Sequence, residues 1–155
     1  MVTCYILSLL TFILVVTAFL QSFLKFPVFQ AGHLTFMILT SIVYLFTETL
    51  VIFFFVGTGM GIKESAAGRK LDPQFHRRSI AIKRKVFPPI VLNLFFMIIL
   101  FVLVGAVDTH QIPSWAYHII FLGCILHLVN TKIIQNQSFG DIMKIVLEIS
   151  GIKQE

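Results

Sequence analysis

Glu48 is an ionisable residue in the middle of a strongly apolar stretch, and it is the first position at which the sequence indicates chemistry. It stands in the segment LFTETLV, which runs from Leu45 to Val51. Mostly polar side chains recur every three or four residues around it: His33, Met37, Thr40, Ser41, Tyr44, Thr47 and Glu48. This spacing predicts one polar edge on a helix. Because hydrocarbon would leave these groups without partners, we expect the edge to face other helices.

A similar edge recurs in the last apolar segment, where it consists of Gly123, Cys124, His127, Asn130 and Thr131. At 1.5 Å per residue, Glu48 and His127 each lie about 20 Å along their helices from the same end. We predict that Glu48 pairs with His127 or stays protonated, with Asn93 somewhat below them. For this cluster, which also includes Tyr44 and Thr47, three roles are open: hydrogen bonding between helices, proton movement or cofactor binding, and contact with a partner subunit.

Three histidines near one end of the apolar segments suggest a second kind of site. His33 and His118 lie at matched depth on different segments, and His110 lies in the connection beside them. Two imidazoles so placed could ligate a b-type haem or a metal ion, or help to shape a quinone pocket. The alternative is that they hydrogen-bond water or lipid headgroups.

Other residue types that carry chemistry lack the spacing they would need. Cys4 and Cys124 show neither disulfide nor zinc spacing and are predicted to be small buried thiols. GTGMG, from Gly57 to Gly61, ends an apolar segment rather than opening a helix after a strand, so we expect it to terminate that helix. No nucleophile has a matching base. We therefore expect no catalysis by the chain alone, and an accessory role in a membrane enzyme stays open.

The elements that must hold these residues are membrane helices. Of the 155 residues, 57% are hydrophobic and 12% are charged, whereas a soluble domain has about a quarter charged residues. Four apolar runs are long enough to cross a bilayer as helices: 5–24, 34–57, 88–107 and 114–131. The predicted fold is an all-α integral membrane protein with a four-helix transmembrane domain over residues 1–137.

The basic residues predict the orientation of this domain. Most of the 12 lysines and arginines fall in the connection 58–87, which the positive-inside rule places in the cytoplasm together with both termini. Trp115 and Tyr117 would then lie in an outer aromatic belt. We expect anionic lipid headgroups to bind a basic set that consists of Arg77, Arg78, Lys83, Arg84 and Lys85. The clustering in one loop argues against nucleic-acid binding.

The C-terminal segment 138–155 carries the pattern of a short amphipathic helix. Ser138 is followed three residues later by Asp141, a capping signature. An apolar stripe then recurs at helical spacing: Ile142, Ile145, Val146 and Ile149. We predict that this helix docks on the inner membrane surface or on a partner protein.

Taken together, these patterns favour a non-catalytic transmembrane subunit of a larger complex, in an energy-converting or respiratory membrane of prokaryotic inner-membrane or organellar type. Its partners would be the bilayer with its anionic lipids and other membrane subunits or further copies of the chain. Two alternatives remain. One is a redox anchor that binds haem b or quinone, and the other is a proton- or ion-conducting oligomer that uses Glu48.

Overall fold

Four long helices make up the protein in its computed structural model, which describes residues 2–28, 30–68 and 72–151. They are α1 (Val2–Leu24), α2 (His33–Gly68), α3 (Gln74–Asp108) and α4 (Ser114–Ser150). All four are long and apolar enough to cross a membrane, and no strand occurs within the described ranges. The predicted fold class, an all-α integral membrane protein with four spanning helices, is confirmed.

Three of the helices extend well past the apolar runs that predicted them. α2 continues through Gly57 and Gly61 to Gly68, so the glycines do not terminate it as expected. α3 begins at Gln74 and passes through Pro88 and Pro89, where the sequence had suggested a start. Much of the predicted basic loop 58–87 is therefore helical. A hydropathy pattern marks the part of a helix that lipid surrounds, and it does not mark where the backbone stops being helical.

The helices form a ring in chain order, in which α1 packs on α2 and α4 and lies diagonally opposite α3. α1 and α4 make the loosest contact between neighbours, and α3 and α4 the closest. We call the end that holds the α2–α3 connection the basic end. Since the helices alternate in direction, the start of α1 and the end of α4 also lie there.

The apolar core is divided into two clusters. One, around Tyr44, Leu100 and Phe121, fills the half away from the basic end. The other, around Phe55 and Ile142, fills the half near the basic end. Between them lie side chains from all four helices that form three separate hydrogen-bonded groups. We call this set the polar layer: Thr11, Thr47, Glu48, Asn93, His127, Thr131, Lys132 and Gln135.

One contact marks where the lipid-covered part of the bundle ends. Lys85 Nζ donates to Gln137 Oε1 at 3.3 Å on the exposed surface between α3 and α4. From these two residues to Asp108 and Ser114, at the other end, each helix covers about 34 Å. A hydrocarbon layer is about 30 Å thick, so slightly tilted helices match it. We therefore infer that the lipid-covered band reaches from this contact to the opposite end.

Past the band, α2, α3 and α4 continue together as a three-helix extension. Ile62 of α2 and Ile142 and Ile145 of α4 are buried in it, and Arg78 pairs with Glu148 across its surface. The C-terminal segment is helical as far as Ser150, where it continues α4 without a break, and residues 152–155 of the prediction lie outside the described residues. Ile142, Ile145 and Ile149 of its apolar stripe pack on α2 and α3, whereas Val146 is exposed. Ser138 is buried inside the helix instead of capping it.

Gly59 lets α3 approach α2 closely in this extension. A side chain there would place its Cβ 2.7 Å from Lys83 Nζ and 3.4 Å from Ser79 Oγ. The lysine side chain thus crosses the α2 backbone where no side chain intervenes.

Candidate functional site

Glu48 is fully buried at the centre of the polar layer and carries an ion pair. Lys132 Nζ of α4 lies 2.5 Å from Glu48 Oε1, and the exposed fraction is 15% for the lysine side chain and 0% for the glutamate. Gln135 Nε2 donates to Glu48 Oε2 at 2.6 Å. Lys132 also donates to Gln135 Oε1 at 3.1 Å. Both carboxylate oxygens therefore have a donor, and the three side chains form a closed triangle.

Such a triangle is the arrangement that makes a charge tolerable among apolar residues. A lone ionised group in a low-dielectric interior is strongly disfavoured, whereas a paired and hydrogen-bonded group is compensated. The polar edge of α2 faces inward as predicted, since Met37, Thr40, Ser41, Tyr44 and Thr47 are buried with Glu48.

The predicted pairing of Glu48 with His127 is wrong. His127 Nδ1 instead donates to Asn93 Oδ1 of α3 at 2.5 Å, and the imidazole meets the ring of Phe96 edge to face. The partners of Glu48 lie one to two turns further along α4. Segment ends fix the depth of a residue only to about a turn when helices differ in length and tilt, and the mismatch is of that size.

The remaining members of the predicted cluster have separate surroundings. Thr47 Oγ1 hydrogen-bonds to Thr11 Oγ1 of α1 at 2.8 Å, which brings the first helix into the polar layer. Tyr44 lies on the side of the layer away from the basic end, and its buried hydroxyl lies near Asn93 without a hydrogen bond of 3.5 Å or less among the described residues. Asn93 Nδ2 is likewise buried without one.

Two residues of the predicted edge on α4 face away from the bundle. Cys124 and Thr131 are buried and His127 is half-buried, but Gly123 and Asn130 are exposed. The Asn130 side chain makes no hydrogen bond within the described ranges. It lies seven residues before Gln137, which is about 10 Å into the lipid-covered band.

The three candidate ligand histidines line one cavity at the end opposite the basic end. His33, His110 and His118 surround this space of about 650 Å³ together with Asp108 and Tyr117. Tyr117 is buried here and therefore does not belong to an aromatic belt, whereas Trp115 is exposed.

The geometry of this cavity does not fit ligation of a metal by the Nε2 atoms as they stand. His33 Nε2 is hydrogen-bonded to Tyr117 Oη at 3.0 Å. His118 Nε2 donates to the backbone oxygen of Ser22 at 3.3 Å, and its ring stacks on Phe23. His33 and His118 would each have to give up this partner to bind iron through Nε2. Within the described ranges, no three His, Cys, Asp or Glu side chains are grouped to hold a metal ion.

Some of the predicted headgroup-binding residues already contact other residues of the chain, and others are exposed. Arg78 donates to both oxygens of Glu148, at 2.6 and 3.1 Å, and this arginine lowers the pKa of the Glu148 carboxyl. Lys85 is held by Gln137 and Lys83 by its position over Gly59. Arg77 and Arg84 are exposed, and they lie two helical turns apart on one face of the extension. Headgroup binding by this set stays a prediction.

A groove opens toward the lipid where α1 and α4 pack loosely. Its volume is about 360 Å³, and α1 contributes Ser8 and Phe12 to its walls while α4 contributes Val129, Lys132 and Asn136. We call it the lateral groove. It reaches the polar layer from the side, because Lys132 belongs to both.

Sequence reasoning missed Lys132 and Gln135, although both belong to the best-defined contact in the bundle. The predicted span ended at Thr131 because a lysine follows it. One signal could have found Gln135: Leu128, Thr131, Gln135 and Ser138 continue the buried spacing of the segment by threes and fours.

The fold and the site define this chain as an integral membrane four-helix bundle with an ion pair buried in its interior. Comparisons with protein families, with curated proteins and with solved structures found no match.

Proposed function

We propose that the chain is a non-catalytic transmembrane subunit of a larger membrane complex, and that α4 presents its surface to a helix of another subunit. The observation that carries this proposal is Asn130, an exposed amide inside the inferred lipid-covered band without a hydrogen-bond partner among the described residues. An amide left unpaired in hydrocarbon is disfavoured by several kcal/mol. A side chain of a neighbouring helix at the same depth would remove that penalty.

The residues around Asn130 have the spacing that two packed helices use. The outward face of α4 is formed by Ile119, Gly123, Leu126, Asn130, Ile133 and Gln137, all exposed and alternately four and three residues apart. This repeat is that of helices that cross at about 20°, in which one polar residue sets the register. Among the described residues, no atom outside the local helix backbone lies within 4 Å of the position that a Cβ at Gly123 would occupy. The partner backbone could therefore approach closely there.

The polar layer does not supply this contact, since both oxygens of the Glu48 carboxylate already accept from Lys132 and Gln135 within the chain. A partner that needed them would have to open the bundle. The proposal therefore places the contact on α4, where it uses two members of the predicted polar edge of that helix, Gly123 and Asn130, and it does not use the polar edge of α2.

Substitution of Asn130 tests the proposal directly. We expect Asn130→Leu to reduce retention of partner subunits about tenfold when the tagged chain is isolated from its own membranes in a mild detergent. One intramembrane hydrogen bond of about 1–2 kcal/mol corresponds to a change of that size. The measurement is quantitative mass spectrometry of the co-isolated membrane proteins.

Thr49→Val is a matched control on a different lipid-facing surface. Thr49 is exposed, but its hydroxyl donates to the backbone oxygen of Leu45, so this change should leave partner retention as in the wild type. Co-expression with a second tag identifies contacts between copies. Recovery of the second copy alone, with no other membrane protein lost in Asn130→Leu, would contradict a role in a larger complex.

We also propose that the basic end faces the cytoplasm, as the basic residues of α3 predict, and that the membrane is an energy-converting one. A single cysteine introduced at Arg84 should react with an impermeant thiol reagent only after the membrane is opened. Reaction in intact cells would place this end outside.

A further inference from the structure

The lateral groove holds polar groups that the chain does not satisfy. A lysine ammonium has three donors, and Lys132 uses its hydrogen bonds on Glu48 and Gln135. Its third hydrogen has no acceptor among the described residues. Ser8 and Asn136 line the same groove and also make no side-chain hydrogen bond there. Three side chains with free donors thus line a space whose other walls are mostly apolar, with Gln135 and Tyr5 as the remaining polar members.

Depth restricts what can reach these donors. Lys132 lies five residues before Gln137, or about 7 Å into the lipid-covered band. The ester groups of glycerolipids lie in the interfacial region outside the hydrocarbon core. An acceptor at the level of Lys132 must therefore belong to a molecule whose polar group enters the hydrocarbon.

Charge restricts the occupant further. The Lys132 ammonium already faces the Glu48 carboxylate, so the pair as a whole is neutral. An anionic head bound to Lys132 would lie beside that carboxylate in a low-dielectric region, and like charges so placed repel strongly. A neutral acceptor takes the free ammonium hydrogen without this repulsion. Carbonyl oxygens are neutral acceptors that apolar molecules commonly carry.

We propose that the lateral groove binds a hydrocarbon-soluble molecule with a neutral carbonyl oxygen, of the kind that a lipid-soluble quinone presents, with this oxygen on Lys132. Phe12 and Val129 form the deeper part of the groove and receive the apolar body. A volume of about 360 Å³ falls in the range of small-molecule sites. The groove and the outward face of α4 are adjacent and share Ile133, whereas Lys132 and Val129 belong to the groove and not to the outward face.

Two probes with the same tail test the role of the carbonyl. Decylbenzoquinone and decylbenzene are added to the protein in lipid nanodiscs, and empty nanodiscs correct for partition into lipid. We expect the quinone to bind at least about tenfold more tightly, which is the effect of a hydrogen bond to a charged group. The infrared carbonyl band of the bound quinone should move to lower frequency. Equal affinity for the two probes would overturn the proposal.

Two phenylalanine substitutions on α4 locate the site without disturbing the ion pair. Val129→Phe fills the groove and should lower quinone affinity about tenfold or more, with loss of the shifted carbonyl band. Leu126→Phe adds the same ring on the outward face and should bind quinone as the wild type does. Equal effects of the two changes would overturn the proposal. So would a phospholipid that stays bound in native mass spectra and that the quinone does not displace.

Discussion

Lys132→Met should destabilise the bundle by an amount set by the burial of Glu48. Methionine keeps the length and apolar stem of lysine but removes the charge that compensates a carboxylate with 0% exposure. Loss of one partner of a buried pair costs about 3–5 kcal/mol. Because Gln135 still donates to the other carboxylate oxygen at 2.6 Å, we expect a loss near 3 kcal/mol. The assay is equilibrium unfolding by SDS in mixed micelles, followed by far-UV circular dichroism.

A second substitution separates the pair from general damage to the core. Glu48→Gln in the Lys132→Met background removes the uncompensated charge and keeps an acceptor for Gln135. The double variant should therefore recover most of the lost stability, with a coupling energy above about 2 kcal/mol. His127→Phe should couple to Glu48→Gln much more weakly, because His127 bonds to Asn93. The ion pair would be refuted if the stability losses of the single variants simply added in the double variant, or if Lys132→Met lost less than about 1 kcal/mol.

Two further predictions concern residues at either side of the polar layer. Tyr44→Phe should leave stability unchanged or raise it in the same unfolding assay, since the buried hydroxyl has no partner to lose; a loss above about 1 kcal/mol would show that it has one. Glu148→Gln should have the same melting temperature as the wild type at neutral pH and 0.15 M salt, because the ion pair between Glu148 and Arg78 is exposed. Since Arg78 lowers the pKa of Glu148, any difference seen at low salt should disappear as the pH falls through that lowered pKa. A difference that persists in salt would contradict this view.

The sequence predicted the fold through features that lipid imposes. Apolar runs identified all four helices, and the spacing around Glu48 identified the side of α2 that is buried. It did not predict the extension past the lipid-covered band, because hydropathy falls where water replaces lipid. In that region the buried side of α3 is marked only by the helical spacing of Ser79 and Val86 in an otherwise charged segment.

The partner of Glu48 could not be predicted from the sequence. The spacing of polar residues shows which side of a helix is buried, but it does not show which residues of two neighbouring helices lie at the same depth. His127 lay at the expected depth, and Lys132 lay just outside the predicted span. A lysine that ends an apolar run is normally taken to lie at the membrane surface. Here the ion pair with Glu48 compensates its charge, so α4 carries it into the band and places the surface near Gln137.

Glu48 and Asn130 differ in whether the chain itself provides their hydrogen-bond partners, and this difference supports the proposed function. The chain places its most unfavourable group, a carboxylate, where α4 supplies both of its donors, so a buried charge by itself implies no outside partner. Asn130 is less polar than a carboxylate, yet its side chain is exposed within the inferred lipid-covered band. The next residue of α4, Thr131, is buried, so an asparagine one position later would face the core. A polar residue in a membrane helix therefore indicates an external partner only when the protein's own helices leave it unsatisfied. Asn130 meets that condition on the outward face of α4, and the third hydrogen of Lys132 meets it in the lateral groove.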